Sequence, residues 1–372
     1  MSIKKCLATT MLSAILSVCS MVSVAATNSA LKTGHEYLAI VGYPNTLTVV
    51  DAASDEIYKS CSLPDAFNPG TVVISPDKSR AFVLNNRYGD LYGVELDTCK
   101  VVFHADLSDR SGERVKSIFS IAVSPDGKEI YSVVNPTKLN RDNYEVQTPR
   151  LQVYSTGGGM DAKPIRTFPV PRQLGVMLAA NDGSLYIAGA DIYRMDVKSG
   201  KLDVAVAVRN WKRPLYGQPD VLNAWPQQLP QNAFDSIYTA DRFKDEKKTP
   251  GTNETMYGYI DIDLATGKAS LKDFAPVTEV FFSGVRSPTN PDIVYVVGNR
   301  LAKFDSKTEK LVGEAPLDHT YYVLTLNKSG KKVYVAGAAN TISVFDAATM
   351  KKIKEIRLSG DTAQATPQIF MR

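Results

Sequence analysis

The chain has 372 residues, 44% of them hydrophobic, and its 43 basic and 39 acidic side chains leave a net charge of only +4. So balanced a charge gives no electrostatic footprint for nucleic acid or for an anionic membrane surface. After the first residues no apolar run is long enough to cross a bilayer as a helix.

The N-terminal segment reads as a leader. Lys4 and Lys5 precede an apolar stretch from Leu7 to Val24, and Ser23-Val24-Ala25-Ala26 supplies small residues for cleavage after Ala25 or Ala26. Residues 1–26 are therefore expected to be a signal peptide, and residues 27–372 one exported domain. Cys6 and Cys19 leave with the leader, and Cys61 and Cys99 remain as a candidate disulfide. An oxidising compartment favours their pairing. The strand register opposes it: Cys61 falls near the upper end of one outer strand and Cys99 in a lower turn of the next unit. At about 3.3 Å per residue that gap exceeds disulfide reach. A disulfide and two isolated thiols both remain open.

Along the rest of the chain one motif occurs seven times: an apolar strand that ends in Asp, once in Ser, before a turn. The anchors are Asp51, Asp97, Ser155, Asp196, Asp263, Asp305 and Asp346, at steps of 46, 58, 41, 67, 42 and 41 residues. Strand-only repeats of this period predict a seven-bladed β-propeller of four-stranded antiparallel blades. A second marker precedes the second strand of most units, as in Ser75-Pro76-Asp77, Ser124-Pro125-Asp126-Gly127, Asn181-Asp182-Gly183 and Lys328-Ser329-Gly330. Pro and Asp suit the first turn positions and Gly the positive φ. β-Branched and aromatic runs follow, such as Ile293-Val294-Tyr295-Val296-Val297, as buried strands require. The N-terminal unit starts directly at a second-strand pattern, Tyr37 to Gly42, while the C-terminus carries an extra strand-like piece, Pro367 to Arg372. The tail is expected to supply the inner strand of the first blade and close the ring.

Four longer insertions, 107–116, 135–149, 209–221 and 240–255, all fall on connections that share one face. Elaborated loops on a rigid scaffold are where function concentrates, and these carry Trp211, Leu215, Tyr216, Val221 and, just beyond, Trp225. The charge run 241–248 reads as a solvated tip. The histidines His35, His104 and His319 are isolated, with no metal-ligand spacing. There is no Cys-x-x-Cys-His haem motif, no Gly-x-Ser-x-Gly elbow and no phosphate-binding glycine loop. Asp261-Ile262-Asp263 lies in a strand and is not a calcium loop.

Five stretches carry a family likeness in order: Glu113 to Phe119, Tyr144 to Arg150, Pro171-Arg172-Gln173, Gln218 to Leu222 with Trp225, and His319 to Tyr322. Together they resemble the β subunit of quinohemoprotein amine dehydrogenase. The resemblance implies a periplasmic heterotrimer in which this chain binds no cofactor. A small γ subunit carries cysteine tryptophylquinone, a dihaem α subunit carries two c-type haems, and primary amines are oxidised to aldehydes and ammonia. Electrons leave through α to a soluble periplasmic acceptor. On this reading the elaborated face docks γ and α and helps enclose the cavity. Arg114, Lys116, Gln147, Arg172, Gln173, Gln218, Asp220 and His319 supply polar contacts; Tyr144, Tyr216, Trp225, Tyr321 and Tyr322 supply aromatic anchors. No catalytic residue, metal, nucleic acid or membrane contact is expected of the chain itself. Competing expectations are the heavy subunit of a methylamine-dehydrogenase-like complex, and a stand-alone periplasmic propeller acting as a binding protein or lactonase.

Overall fold

The computed structural model describes residues 29–222, 228–229, 232–362 and 365–372; the expected leader with its cleavage sites, and Trp225, lie outside them. Seven antiparallel sheets follow one another around a ring, each with four strands a to d from axis to rim, and the third sheet carries extra strands. Every second strand is apolar on both faces because it is sandwiched between two blades. In blade 7, Val333 and Val335 enter the cluster shared with blade 6, while Tyr334 and Ala336 enter the one shared with blade 1. This is the period-two alternation of a strand, with both sides buried. Outer strands are half wet, as in Lys352–Arg357, where Ile356 alone is buried.

The ring closes as expected. The C-terminal strand Gln368–Met371 pairs antiparallel with Glu36–Gly42, matching Tyr37 to Phe370 and Leu38 to Ile369. Two backbone bonds extend the seam, Gly34 N to Arg372 O at 2.7 Å and Arg372 N to His35 O at 3.0 Å. The first and last described strands therefore share one sheet, and the first blade has its inner strand.

Two expectations are corrected here. The first is the flat strand register that set Cys61 apart from Cys99: the candidate disulfide is formed, with a Cα–Cα distance of 5.2 Å. Blade twist accounts for the difference. Each blade turns from axis to rim, so the turn between its strands c and d leans onto the outer half of the preceding blade. Arg80 of blade 2 donates to Thr156 O of blade 3 at 3.1 Å, Arg166 of blade 3 to Val197 O of blade 4 at 3.3 Å, and Lys303 of blade 6 to Ala347 O of blade 7 at 2.9 Å. Between blades 1 and 2 the same lean brings Lys59 Nζ to Leu96 O at 3.2 Å and to Asp97 O. It also carries Cys99 onto Cys61. A register counted along flat strands omits this rotation.

The second correction is the blade 2 anchor. Glu95, not Asp97, ends the third strand: Glu95 N donates to Lys100 O and Cys99 N to Glu95 O, as Asp196 N does to Lys201 O and Gly200 N to Asp196 O in blade 4. Asp97 is thereby released to hold the chain ends. Its carboxylate accepts Leu31 N at 2.9 Å and pairs with the Arg372 guanidinium.

The four insertions lie on one face, here called the upper face. The lower face has mostly tight turns; its longer connections are residues 156–165 of blade 3, with a 3-10 turn at Gly159–Asp161, and the link between strands Asp220–Leu222 and Ala233–Arg242 of blade 5. From it Gln228 crosses the channel: its side chain accepts from Ile74 N at 2.7 Å and donates to Ile74 O at 3.0 Å, and its amide donates to Gln368 Oε1 at 2.8 Å. This one residue stitches blade 5 to blades 2 and 1.

Candidate functional site on the upper face

The upper face is dominated by a tongue from blade 3. Its second strand runs eleven residues, Glu129–Leu139, past the end of the blade. There it is flanked by Glu113–Lys116 on one side and Tyr144–Val146 on the other. The apolar residues of the tip do not pack inward: Leu139 is 43%, Tyr144 77% and Val146 62% exposed. The base of the tongue is fixed by Arg150 in the third strand. Its buried guanidinium pairs with Asp109 at 2.9 Å and Glu113 at 2.8 Å, tying the preceding insertion to the blade. Burial works against the charge of Arg150, but the hydrogen bonds and charges of Glu113 and Asp109 outweigh it and raise its pKa.

The candidate residues divide into two sets. Arg114, Tyr144, Arg172, Gln173 and Asp220 are exposed on this face. Arg172 donates to Gln147 O at 3.2 Å, which brings the tongue and the blade 3–4 connection together. Gln147 N in turn donates to Pro136 O at 3.0 Å. Gln173 holds a left-handed φ of 68°. The side chains of the second set are engaged in internal contacts, although Gln218 among them is exposed. Lys116 Nζ donates to Asn86 O at 3.1 Å and Arg87 O at 2.6 Å, and burial lowers its pKa. Tyr321 is fully buried, its hydroxyl on Thr341 at 2.9 Å and Ser343 at 3.0 Å. The His319 ring lies tilted against Tyr321, with centroids 4.1 Å apart, and reaches Thr341 through Nε2 at 3.2 Å. Tyr322 is half-buried against Phe282, with ring centroids 5.0 Å apart. Gln218 donates its side-chain amide to Val208 O.

Tyr216 belongs to a polar network that sequence reasoning missed. The insertion between blades 4 and 5 is pinned to Asp273 on the outer strand of blade 5. The Asp273 carboxylate accepts from Arg213 at 2.9 and 3.2 Å, from Tyr238 OH at 2.6 Å, and from Tyr216 OH. Arg213 also lies 3.7 Å from the centroid of the Tyr216 ring. Burial, then the Asp273 carboxylate, pushes the Tyr216 hydroxyl up to about 12. The Tyr238 ring reaches Asp273 only because it lies across Gly258, where a Cβ would run into the ring. A buried acid fully occupied by four donors is an anchor, and the insertion it holds is rigid for that reason. In the neighbouring hairpin Arg242 is not a solvated charge: it pairs with Glu309 at 2.7 Å and Glu254 at 3.1 Å. Asp241 and residues 244–248 do form an outlying tip of mostly exposed charges.

Among the described residues no cluster of three or more His, Cys, Asp or Glu side chains is placed to hold a metal ion. Both described cysteines are spent on one disulfide. The upper face thus offers an apolar tip, flanking guanidinium groups and rigid supports, which is the composition of a binding surface.

No family model and no curated protein matches the sequence. Among solved structures the chain is similar to a protein of unknown function from Desulfotomaculum acetoxidans DSM 771, with 15% identity and a TM-score of 0.53 over 90% of this chain and 98% of the other. It is similar to hydrazine synthase of Kuenenia stuttgartiensis, with 15% identity and a TM-score of 0.50 over 82% and 90%. A third likeness is to apo AztD from Citrobacter koseri, with 11% identity and a TM-score of 0.50 over 91% and 98%. What these likenesses establish is a shared propeller fold.

Proposed function

We propose that this chain is the β subunit of a periplasmic quinohemoprotein amine dehydrogenase, a propeller that docks a small quinone-bearing γ subunit and a dihaem α subunit on its upper face. The observation that carries this reading is the tongue of blade 3, whose rigid strands hold Leu139, Tyr144 and Val146 out of the core. Exposed apolar side chains on a braced platform, with Arg114 and Arg172 beside them, have the make-up of interface anchors. The family-like stretches supply the identity of the partner, and the disulfide suits an oxidising compartment.

In this complex, cysteine tryptophylquinone on γ supplies the two-electron oxidation of a primary amine to aldehyde and ammonia, and the haems of α pass the electrons to a soluble acceptor. The work of this chain is enclosure. Tyr144 and Val146 bury against γ and exclude water from its cofactor side. Arg114, Arg172 and Asp220 fix register through charge. The insertions held by Arg150 and Asp273 keep the wall of the cavity in place.

The test is co-purification. Tyr144→Ala combined with Arg172→Glu removes one anchor and reverses one charge without touching the core. The variant should fold with an unchanged melting temperature and bind its redox partners at least about tenfold more weakly. Partners retained at full stoichiometry and affinity would count against this docking face.

A further inference from the structure

The lower end of the central channel, opposite the docking face, holds a cavity of about 390 Å3, within the size range of small-molecule sites. Inner-strand side chains form its walls, among them Val73, Val123, Leu178 and Phe370; its charged lining groups are Glu36, Lys78 and Lys328.

Lys78 is unusual on three counts. First, it occupies a backbone position that other blades give to glycine. Its φ is 61°, and the corresponding residues of blades 3, 4 and 7 are Gly127, Gly183 and Gly330 at 71°, 85° and 67°. All four amides close the same turn, Lys78 N to Ser75 O, Gly127 N to Ser124 O, Gly183 N to Ala180 O and Gly330 N to Asn327 O, each at 2.9 Å. A left-handed lysine is less favourable than glycine, which is the residue the other three turns use. Second, its side chain lines the cavity and is half-buried, with burial lowering its pKa against the pull of Asp77. Third, among the described residues its ammonium has neither a hydrogen-bond acceptor nor a salt-bridge partner. The Asp77 carboxylate is taken up by the Ser75 hydroxyl at 2.6 Å and the Ser79 hydroxyl at 2.7 Å.

Of the other charges at the mouth, Glu36 and Arg372 are occupied, while the exposed Lys328 ammonium also has no partner among the described residues. Glu36 accepts the Lys328 amide at 2.6 Å. The Arg372 guanidinium donates to Lys78 O at 2.6 Å and pairs with Asp97. Lys78 is thus the half-buried one of two unpartnered cations at a mouth with apolar walls. Such a site selects an amphipathic anion: a negative head to satisfy the ammonium and an apolar body to fill the channel.

We propose that the lower mouth of the channel binds a small monocarboxylate with an aliphatic body, its carboxylate on the Lys78 ammonium and its chain against the inner-strand walls. The site lies on the other face from the docking surface and stands or falls independently of the proposed function.

Calorimetric titration of the full chain with sodium hexanoate tests it, with hexylamine and 1-hexanol as controls. The wild type should bind one hexanoate per chain, at least about tenfold more tightly than either control, as expected for a charge-assisted contact. Lys78→Gly restores the residue its backbone favours, so its melting temperature should not fall, yet its hexanoate affinity should drop about tenfold or more. Lys78→Arg should retain the binding. No hexanoate binding to the wild type, undiminished binding by a folded Lys78→Gly variant, or equal affinity for hexanol would overturn the proposal.

Discussion

Asp261 is a carboxyl whose environment departs far from its ordinary chemistry. It stands opposite Asp235 on the neighbouring strand of blade 5, and both face Arg286 from the inner strand of blade 6, with Arg286 Nη2 at 3.0 Å from Asp235. One guanidinium cannot neutralise two buried carboxylates, and burial, followed by the charge of Asp235, pushes Asp261 up to about 7. The sign follows from linkage: a carboxyl whose folded pKa is raised stabilises the fold while protonated, and that contribution is lost as pH climbs from about 4 to about 7. The wild type should therefore melt lower at pH 8 than at pH 5.5, and Asp261→Asn should shrink the difference. Asp77, held down at about 2 against its burial by Ser75 and Ser79, stays ionised across this window and does not mask the effect. Equal pH dependence in wild type and variant would contradict the assignment. Little of this was legible in Asp261-Ile262-Asp263, because the partners Asp235 and Arg286 arrive from another strand and another blade. The same holds for Tyr216 and Tyr321. Their residue types suit an interface, but only the fold reveals that Asp273, Thr341 and Ser343 already occupy their hydroxyls.

At the scale of elements, the turn between the third and fourth strands of blade 2 is the fastening point of the ring. Cys99 ties it to the outer strand of blade 1, and Asp97 holds both Leu31 and Arg372. The disulfide closes a span of 38 residues, for which the loss of unfolded-chain entropy amounts to about 4 kcal/mol in the loop-closure model. Replacing both Cys61 and Cys99 by Ser should lower unfolding stability by about 2–4 kcal/mol in a denaturant titration. It should also speed amide exchange at the paired chain ends. A double variant as stable as the wild type would show that the turn is held by its hydrogen bonds alone. The strands themselves could be read from sequence, because apolar runs punctuated by Pro, Asp and Gly are local signals. The closing strand at 368–371 could be read too, since an unmatched first blade needs a partner. The disulfide could be named as a candidate from cysteine count and compartment, but not its geometry: the lean of one blade's turn onto the blade before it is a consequence of twist, and twist leaves no mark on residue spacing. The blade 2 anchor was displaced by two residues for a related reason, Glu95 taking the place that Asp holds in most other blades.

For the whole molecule, the ring separates two faces with different characters. The upper face carries the braced insertions and the exposed tongue. The lower face carries tight turns, the Gln228 stitch and the Lys78 cavity. Closure leaves only the short outer edges of the blades unpaired, so a rigid platform can hold apolar residues in solvent with little exposed edge for strand pairing. The location of the insertions on one face was legible because alternating strand direction assigns every connection to a side. The longer blade 5 connection through Gln228 on the opposite face was not, because that blade lacks the turn marker seen in most of the others. The central claim is that this platform serves a quinone and haem complex, and the most direct test is a visible spectrum. The complex should be isolated through this chain under native conditions and titrated with a primary amine. Haem bands that become reduced as amine is added are the predicted result; a colourless single chain that is unchanged by amine would contradict the account.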